Sequence, residues 1–146
     1  MSQAVEAIHY QRLASELLPL ANKFYKSQRS NMRVGRSEQV WIARQGQIIA
    51  ACCLKPVEHG QWLTALLVAS QHRRQGIASH LLQQLLHSSA GPVWLFCHPD
   101  LLTFYQRQGF QPVSQLPAAL ADRLRRYQQK QLLLALVWQP SSCAVN

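Results

Sequence analysis

Leu66-Leu67-Val68-Ala69-Ser70-Gln71-His72-Arg73-Arg74-Gln75-Gly76-Ile77-Ala78 is the stretch that sets the architecture, because the apolar period changes within it. Upstream, residues 62–68 form an apolar run of strand length. Downstream, Ile77, Leu81, Leu82, Leu85 and Leu86 recur on one face of a helix, and Ser88-Ser89-Ala90-Gly91-Pro92 ends it, so the spacing predicts a helix from Gly76 to about Ser88. A helix N-terminus leaves four backbone N–H groups without intrahelical partners and carries about half a positive charge, so anions bind there. Gly76 lets an anion approach the backbone closely, Arg73 and Arg74 add positive charge, and the small Ala78 keeps the first turn open to a bulky phosphate. The stretch reads as a diphosphate site of its own kind, since neither the Rossmann glycine pattern nor the Walker pattern occurs. The plainer reading of Arg73 and Arg74 is a solvated turn.

Before this junction, residues 40–44 and 47–54 flank Gln45-Gly46, which predicts a hairpin. Residues 56–60 punctuate again before residues 62–68, so three consecutive strands make an antiparallel meander. Nearer the start, Leu13, Leu17, Leu18, Ala21 and Phe24 follow helical spacing, with Pro19 starting or kinking the helix, after a strand over residues 5–10. The polar residues 27–37, with Arg29, Arg33 and Arg36, read as a mobile loop too short to link two domains. Beyond the junction, residues 93–97 form a short buried strand, and Pro99 opens a helix to about Arg107 that Gly109 closes. A helix over residues 117–129 turns Leu120, Leu124 and Tyr127 inward and leaves Arg123, Arg125 and Arg126 on its wet side. Residues 132–138 are apolar on both faces, which predicts a central strand, and residues 140–146 form a loose tail.

The 146 residues are one domain's worth, taken as spanning 1–146; with 48% hydrophobic and 14% charged residues they fold rather than stay disordered. Fifteen Lys and Arg against six Asp and Glu give +9, which favours an anionic partner. No apolar run approaches the roughly 18 residues of a membrane span, and Glu6, His9 and Arg12 stand where a signal peptide would be apolar, which places the chain in the cytoplasm without a membrane partner. Cys52, Cys53, Cys97 and Cys143 form no CxxC pair and read as reduced, buried thiols. His9, His72, His80, His87 and His98 lack metal-ligand spacing, so no metal is expected.

About 30 residues after Gly76 comes Phe104-Tyr105-Gln106-Arg107-Gln108-Gly109-Phe110. With the Arg73-Arg74-Gln75-Gly76-Ile77-Ala78 element, the sequence resembles the GNAT superfamily of N-acetyltransferases. That family's acetyl-CoA motif has Gln or Arg, two variable residues, Gly, a variable residue, then Gly or Ala, and its later helix ends in a Tyr followed by Gly-Phe. The resemblance runs over residues 41–113. It implies an α+β (mixed α/β) fold with a central mixed sheet, an N-terminal antiparallel meander, flanking helices, and strands ending at Val68 and beginning at Val93 that splay into an acetyl-CoA cleft. It implies that the backbone of Leu66, Leu67 and Val68 holds the pantetheine arm, that the amides of Arg73, Arg74, Gln75, Gly76, Ile77 and Ala78 hold the diphosphate, and that Tyr105 faces the thioester sulfur. Where the family often has Asn seven residues before that Tyr, on the pantetheine, this chain has His98; where many members place Glu midway along the strand, it has Gln61 and Trp62.

Acyl transfer to an amine sets its own requirements. An alkylamine of pKa about 10.4 costs roughly 4 to 5 kcal/mol to present as free base at neutral pH. Glu58, His59 and Glu38 are the side chains available for that proton, Glu58 first and acting through water. The departing thiolate has a pKa near 8.5 against about 10 for tyrosine, so proton transfer from Tyr105 is uphill by about 2 kcal/mol unless Arg or a helix dipole helps. Tyr105 and Phe104 have a plainer reading as core aromatics. Cys97 sits in an apolar strand without an activating base, so transfer from acetyl-CoA to a primary amine is direct. The acceptor, a small molecule or a peptide amine, is set by the N-terminal helices and the loop over residues 27–37, and the chain works as a monomer or homodimer. One rival is a basic nucleic-acid-binding module, disfavoured because Trp41, Trp62, Trp94 and Trp138 fall in strands rather than among the arginines. The other is an acyl-CoA-binding domain without catalysis, which the missing strand Glu suggests.

Overall fold

The computed structural model describes residues 6–140. Val5, Cys143 and the tail after Pro140 lie outside the described residues. The strands are β1 (His9–Arg12), β2 (Gln39–Gln45), β3 (Gln47–Val57), β4 (Gly60–Val68), β5 (Val93–Cys97), β6 (Gln111–Pro112) and β7 (Leu134–Trp138); the helices are α1 (Leu18–Ser27), α2 (Ile77–His87), α3 (Leu102–Arg107) and α4 (Ala118–Gln128). They form an α+β fold around one mixed, mostly antiparallel sheet of order β1-β2-β3-β4-β5-β7-β6. The contacts fall into two compact units, one built from the chain up to Leu54 with Ala65–His87, the other from Lys55–Thr64 with the chain from Ser88 on. No helix among the described residues is long and apolar enough to cross a membrane.

In the first unit, β1 pairs with β2 from His9↔Arg44 to Arg12↔Trp41, so the strand begins later than the expected residue 5. The β2–β3 hairpin turns at Gly46, whose φ of +75° is the left-handed conformation that glycine adopts without strain. Pro19 falls in the first turn of α1, where its missing N–H has no partner to lose. Tyr25, Phe24 and Ala21 of α1 pack with Val40, Ile42, Ala51, Cys53 and Ala69. The α2 stripe is as the spacing predicts: Ile77, Leu81, Leu82, Leu85 and Leu86 are all buried.

β3 runs through Pro56, where the sequence predicts a break. The last β2 partner is Leu54, so Pro56, itself exposed, lies past the end of β2, where a strand tolerates proline. In the second unit, β4 pairs with β5 in parallel through Gln61↔Val93 and Trp62↔Trp94. A Cβ on Gly60 would stand 2.2 Å from the Pro92 carbonyl oxygen, so only glycine lets the two strands start this close together. β7 pairs antiparallel with β5 along its whole length and with the two-residue edge strand β6, which makes it central as expected. Leu132 is left out of it, 66% exposed.

Helix α4 differs from its amphipathic reading. Leu120 is buried against Trp62 and Trp94, but Tyr127 is exposed, with its ring edge-on to Phe96 at 6.3 Å. Arg123, expected on the wet side, lies 4.8 Å over the Trp62 ring. A long Arg stem covers apolar surface while its guanidinium gains from the ring's negative face, and a polar-versus-apolar count does not register that.

Candidate active site

The turn between β4 and α2 is built from backbone geometry. Ser70–His72 makes a short 3-10 turn, closed by the His72 amide donating to the Ala69 carbonyl at 2.8 Å. Arg73 is extended (φ −72°, ψ 155°). Arg74 (φ +65°) and Gly76 (φ +77°) are left-handed, and α2 starts at Ile77. Left-handed residues in a turn aim successive amides to one side, making an anion-binding concavity beside the positive end of the helix. The Nε of Arg73 donates to the Val68 carbonyl at 3.2 Å, which fixes the Arg73 stem against the end of β4; Arg73, Arg74, Gln75 and Gly76 are all exposed. The Gly76 carbonyl accepts from the His80 amide at 3.1 Å and from His80 Nδ1 at 2.9 Å. An added Cβ at Gly76 would meet only His80, at 3.8 Å, so the backbone angle and not crowding requires glycine here.

Leu66, Leu67 and Val68 are half-buried at the end of β4. Ahead of them Ala65 is left-handed, φ +58°, a conformation rare for a non-glycine residue and a local break in the strand's pleat. The Tyr25 hydroxyl, fully buried, donates to the Ala65 carbonyl at 2.7 Å and lies 3.7 Å from Cys53 Sγ. Sequence reasoning found neither feature. A buried tyrosine needs a partner for its hydroxyl, which was the available signal, but nothing local names Ala65 as that partner.

Tyr105 sits on α3, also buried, with Phe104 (4.9 Å between ring centroids) and Phe110 (5.8 Å) edge-on to its ring. The helix ends as Gly109 predicted. The Phe110 amide donates to the Tyr105 carbonyl at 3.1 Å and the Gly109 amide to that of Gln106 at 3.0 Å, with Gly109 at φ +103°. These paired bonds are the Schellman closure, and the Tyr105–Phe110 contact is its apolar accompaniment. His98 follows β5 and caps the next turn, Nδ1 accepting the Asp100 amide at 3.1 Å. A neutral imidazole that accepts at Nδ1 carries its proton on Nε2, so His98 presents a donor there.

Glu58 and His59 form the β3–β4 turn, 3.7 Å apart with side chains 66% and 85% exposed. Glu38 is half-buried and takes the Gly35 amide at 2.7 Å. Gln61 Oε1 and Trp62 Nε1, where the resemblance leads one to look for a carboxylate, are buried without hydrogen-bond partners. Leu66 to Val68 and residues 73–78 belong to the first unit; Glu58, His98 and Tyr105 belong to the second. Burial raises the Cys52 thiol well above its ordinary value, pushes Cys53 up to about 12 and raises Cys97, so all three stay protonated and poor nucleophiles. Among the described residues no group of three or more His, Cys, Asp or Glu could hold a metal ion.

The features so far define an α+β protein with a mixed sheet and a left-handed turn leading into α2. The model of the acetyltransferase (GNAT) domain matches residues 36–112, and the chain belongs to that acetyltransferase family. No curated protein matches the sequence. Among solved structures, a GNAT-family acetyltransferase from Staphylococcus aureus is similar with a TM-score of 0.66 at 14% identity, covering 92% of this chain and 100% of that one. The ribosomal-protein-S18-alanine N-acetyltransferase of Escherichia coli gives 0.62 at 16% identity, over 96% and 98%. N-acetylglutamate synthase from Neisseria gonorrhoeae, complexed with coenzyme A and N-acetylglutamate, gives 0.63 at 14% identity, over 95% of this chain and 36% of that one. At these identities the likeness is one of fold.

Proposed function

We propose that residues 1–146 act as a single N-acetyltransferase domain that moves the acetyl group of acetyl-CoA directly to a primary amine in the cytoplasm. The observation that carries this reading is the pair of left-handed residues, Arg74 and Gly76, at the N-terminus of α2. The amides of residues 73–78 bind the diphosphate of the cosubstrate, and Arg73 and Arg74 add charge. The backbone of Leu66, Leu67 and Val68 takes the pantetheine arm like an added strand, and His98 donates from Nε2 to one of its carbonyls.

In the reaction the amine nitrogen attacks the thioester carbon and a C–N bond forms. The charge on the carbonyl oxygen is met by backbone N–H near Val68. Collapse breaks the C–S bond, and Tyr105 gives its proton to the departing thiolate. The proton lost by the amine passes to a carboxylate and restores Tyr105 through solvent. Glu58, exposed on its turn, takes part in this only through water. No acyl-enzyme forms, consistent with thiols that burial keeps protonated.

Following thiol release from acetyl-CoA across a panel of free amino acids, peptide N-termini, lysine peptides and polyamines tests the reading. At least one class is expected to raise turnover well above the hydrolytic background. Tight acetyl-CoA binding with no turnover on any amine would leave a binding domain without catalysis, and salt-sensitive RNA binding without acetyl-CoA affinity would favour the nucleic-acid module.

A further inference from the structure

A cavity of about 330 Å³ opens in the first unit, at the end of β1 and the start of β2, lined by Arg12, Ser15, Glu16, Leu18, Glu38 and Val40 among others. That is the small end of ligand pockets, room for the first residue or two of a peptide. The proposed reaction leaves it unused. Glu38 links the cavity to the loop over residues 27–37. Its Oε1 accepts the Gly35 amide at 2.7 Å, which ties the loop to the cavity wall at a point between Arg33 and Arg36. The Val34 amide donates in turn to Asn22 Oδ1 at 2.8 Å and the Met32 amide to Ser30 Oγ at 3.0 Å, so the loop is bonded to α1 and within itself.

On the other side of the cavity wall, Val40 pairs with Cys53, whose Sγ lies 3.7 Å from the Tyr25 hydroxyl. Burial raises both groups, and the negative charge of Glu38 raises them further. Tyr25 in turn holds the Ala65 carbonyl, one residue before the segment assigned to the pantetheine arm. The cavity therefore connects, through Val40, Cys53 and Tyr25, to the stretch of β4 where the thioester is expected.

The charges choose the acceptor. Arg29, Arg33 and Arg36 are exposed, and none has an ion-pair partner among the described residues. No charged side chain among the described residues is buried, so no desolvated base is at hand to strip a lysine-type ammonium of pKa about 10.4. A peptide α-amine, ordinarily about 7.7 to 8.0, offers free base at neutral to mildly alkaline pH with help from a half-buried carboxylate.

We propose that this cavity is the acceptor site and that it takes the amino terminus of an acidic peptide, with the α-amine at Glu38 and the following acidic side chains along Arg33 and Arg36. This rests on the N-acetyltransferase reading. Glu38, lining the cavity, then accepts the amine's proton as the C–N bond forms, and collapse breaks the C–S bond, so that CoA leaves as the thiol with the proton from Tyr105.

The test is acetylation of peptides that share an N-terminal Ala and continue with Glu and Asp, with Ser and Gly, or with Lys and Arg. The acidic peptide is expected to show kcat/KM at least about tenfold above the neutral one, an advantage that shrinks as salt shortens the Debye length. An Arg33→Glu/Arg36→Glu variant should lose that preference while its acetyl-CoA Kd by calorimetry is unchanged. Glu38→Gln should lower kcat/KM by about tenfold or more and Glu58→Gln by much less. Intact acetyl-CoA binding with no charge preference, with preference for the basic peptide or for spermidine, or with the larger loss in Glu58→Gln, overturns the inference alone. No acetyl-CoA binding at all overturns the donor reading, and the inference with it.

Discussion

A Tyr105→Phe variant is expected to lose about 10²-fold or more in kcat while binding acetyl-CoA with nearly the affinity of the parent chain. The substitution removes one oxygen and keeps the ring, so the edge-on contacts with Phe104 and Phe110 and the closure at Gly109 persist. What goes is the hydroxyl, and with it the proton assigned to the thiolate. An interaction made only as the C–S bond breaks lowers kcat and kcat/KM together and leaves ground-state binding alone. Steady-state kinetics beside a direct Kd measurement separates the two. An unchanged kcat would return Tyr105 to the plainer reading, an aromatic that fills the space under α3.

The second large effect belongs to Gly76. Gly76→Val places a β-branched side chain at φ +77°, where an L-residue is strained by roughly 1 to 2 kcal/mol and a β-branched one by more. No clash adds to this, because His80 at 3.8 Å is the nearest group. The turn relaxes toward negative φ, and the amides that it aimed together separate. Acetyl-CoA affinity is expected to fall at least about tenfold while the fold survives, with Tm lower by several degrees. Gly76→Ala should fall between the two. A Kd within about twofold of the parent's in Gly76→Val would mean that the turn does not bind the diphosphate.

Much of this was legible in the residues because the signals were local. The α2 stripe repeats one face for three turns, β5 is a five-residue apolar run between Gly91-Pro92 and Pro99, and Gly109 marks a helix end by its φ. β7 was read as central because a strand apolar on both faces needs cover on both. The misses share a cause, which is that a distant partner decides them. Pro56 stays in a strand because β2 has already ended. β6 is two residues long, too short for any period, and exists through its pairing with Val137 and Leu136. Arg123 turns to an aromatic that lies 61 positions earlier in the chain.

The site divides the same way. The turn at residues 73–78 combines a glycine, two arginines and a helix start, all adjacent in sequence, and so could be read directly. The Tyr25 hydroxyl on Ala65 bridges 40 positions, and no spacing rule reaches that far. Burial and cavity lining are properties of the folded chain, so no spacing in the sequence shows that Glu58 is two-thirds exposed or that Glu38 lines the cavity.

Titrating acetyl-CoA into concentrated protein in a calorimeter, with thermal unfolding of the same samples, is the most direct check on the turn at Gly76. The expected result is one saturable heat and, at 100 times the Kd, stabilisation by about 2.7 kcal/mol, both lost in Gly76→Val. A parent chain that gives neither heat nor a shift in Tm would contradict the binding role of that turn and the chemistry assigned to Tyr105.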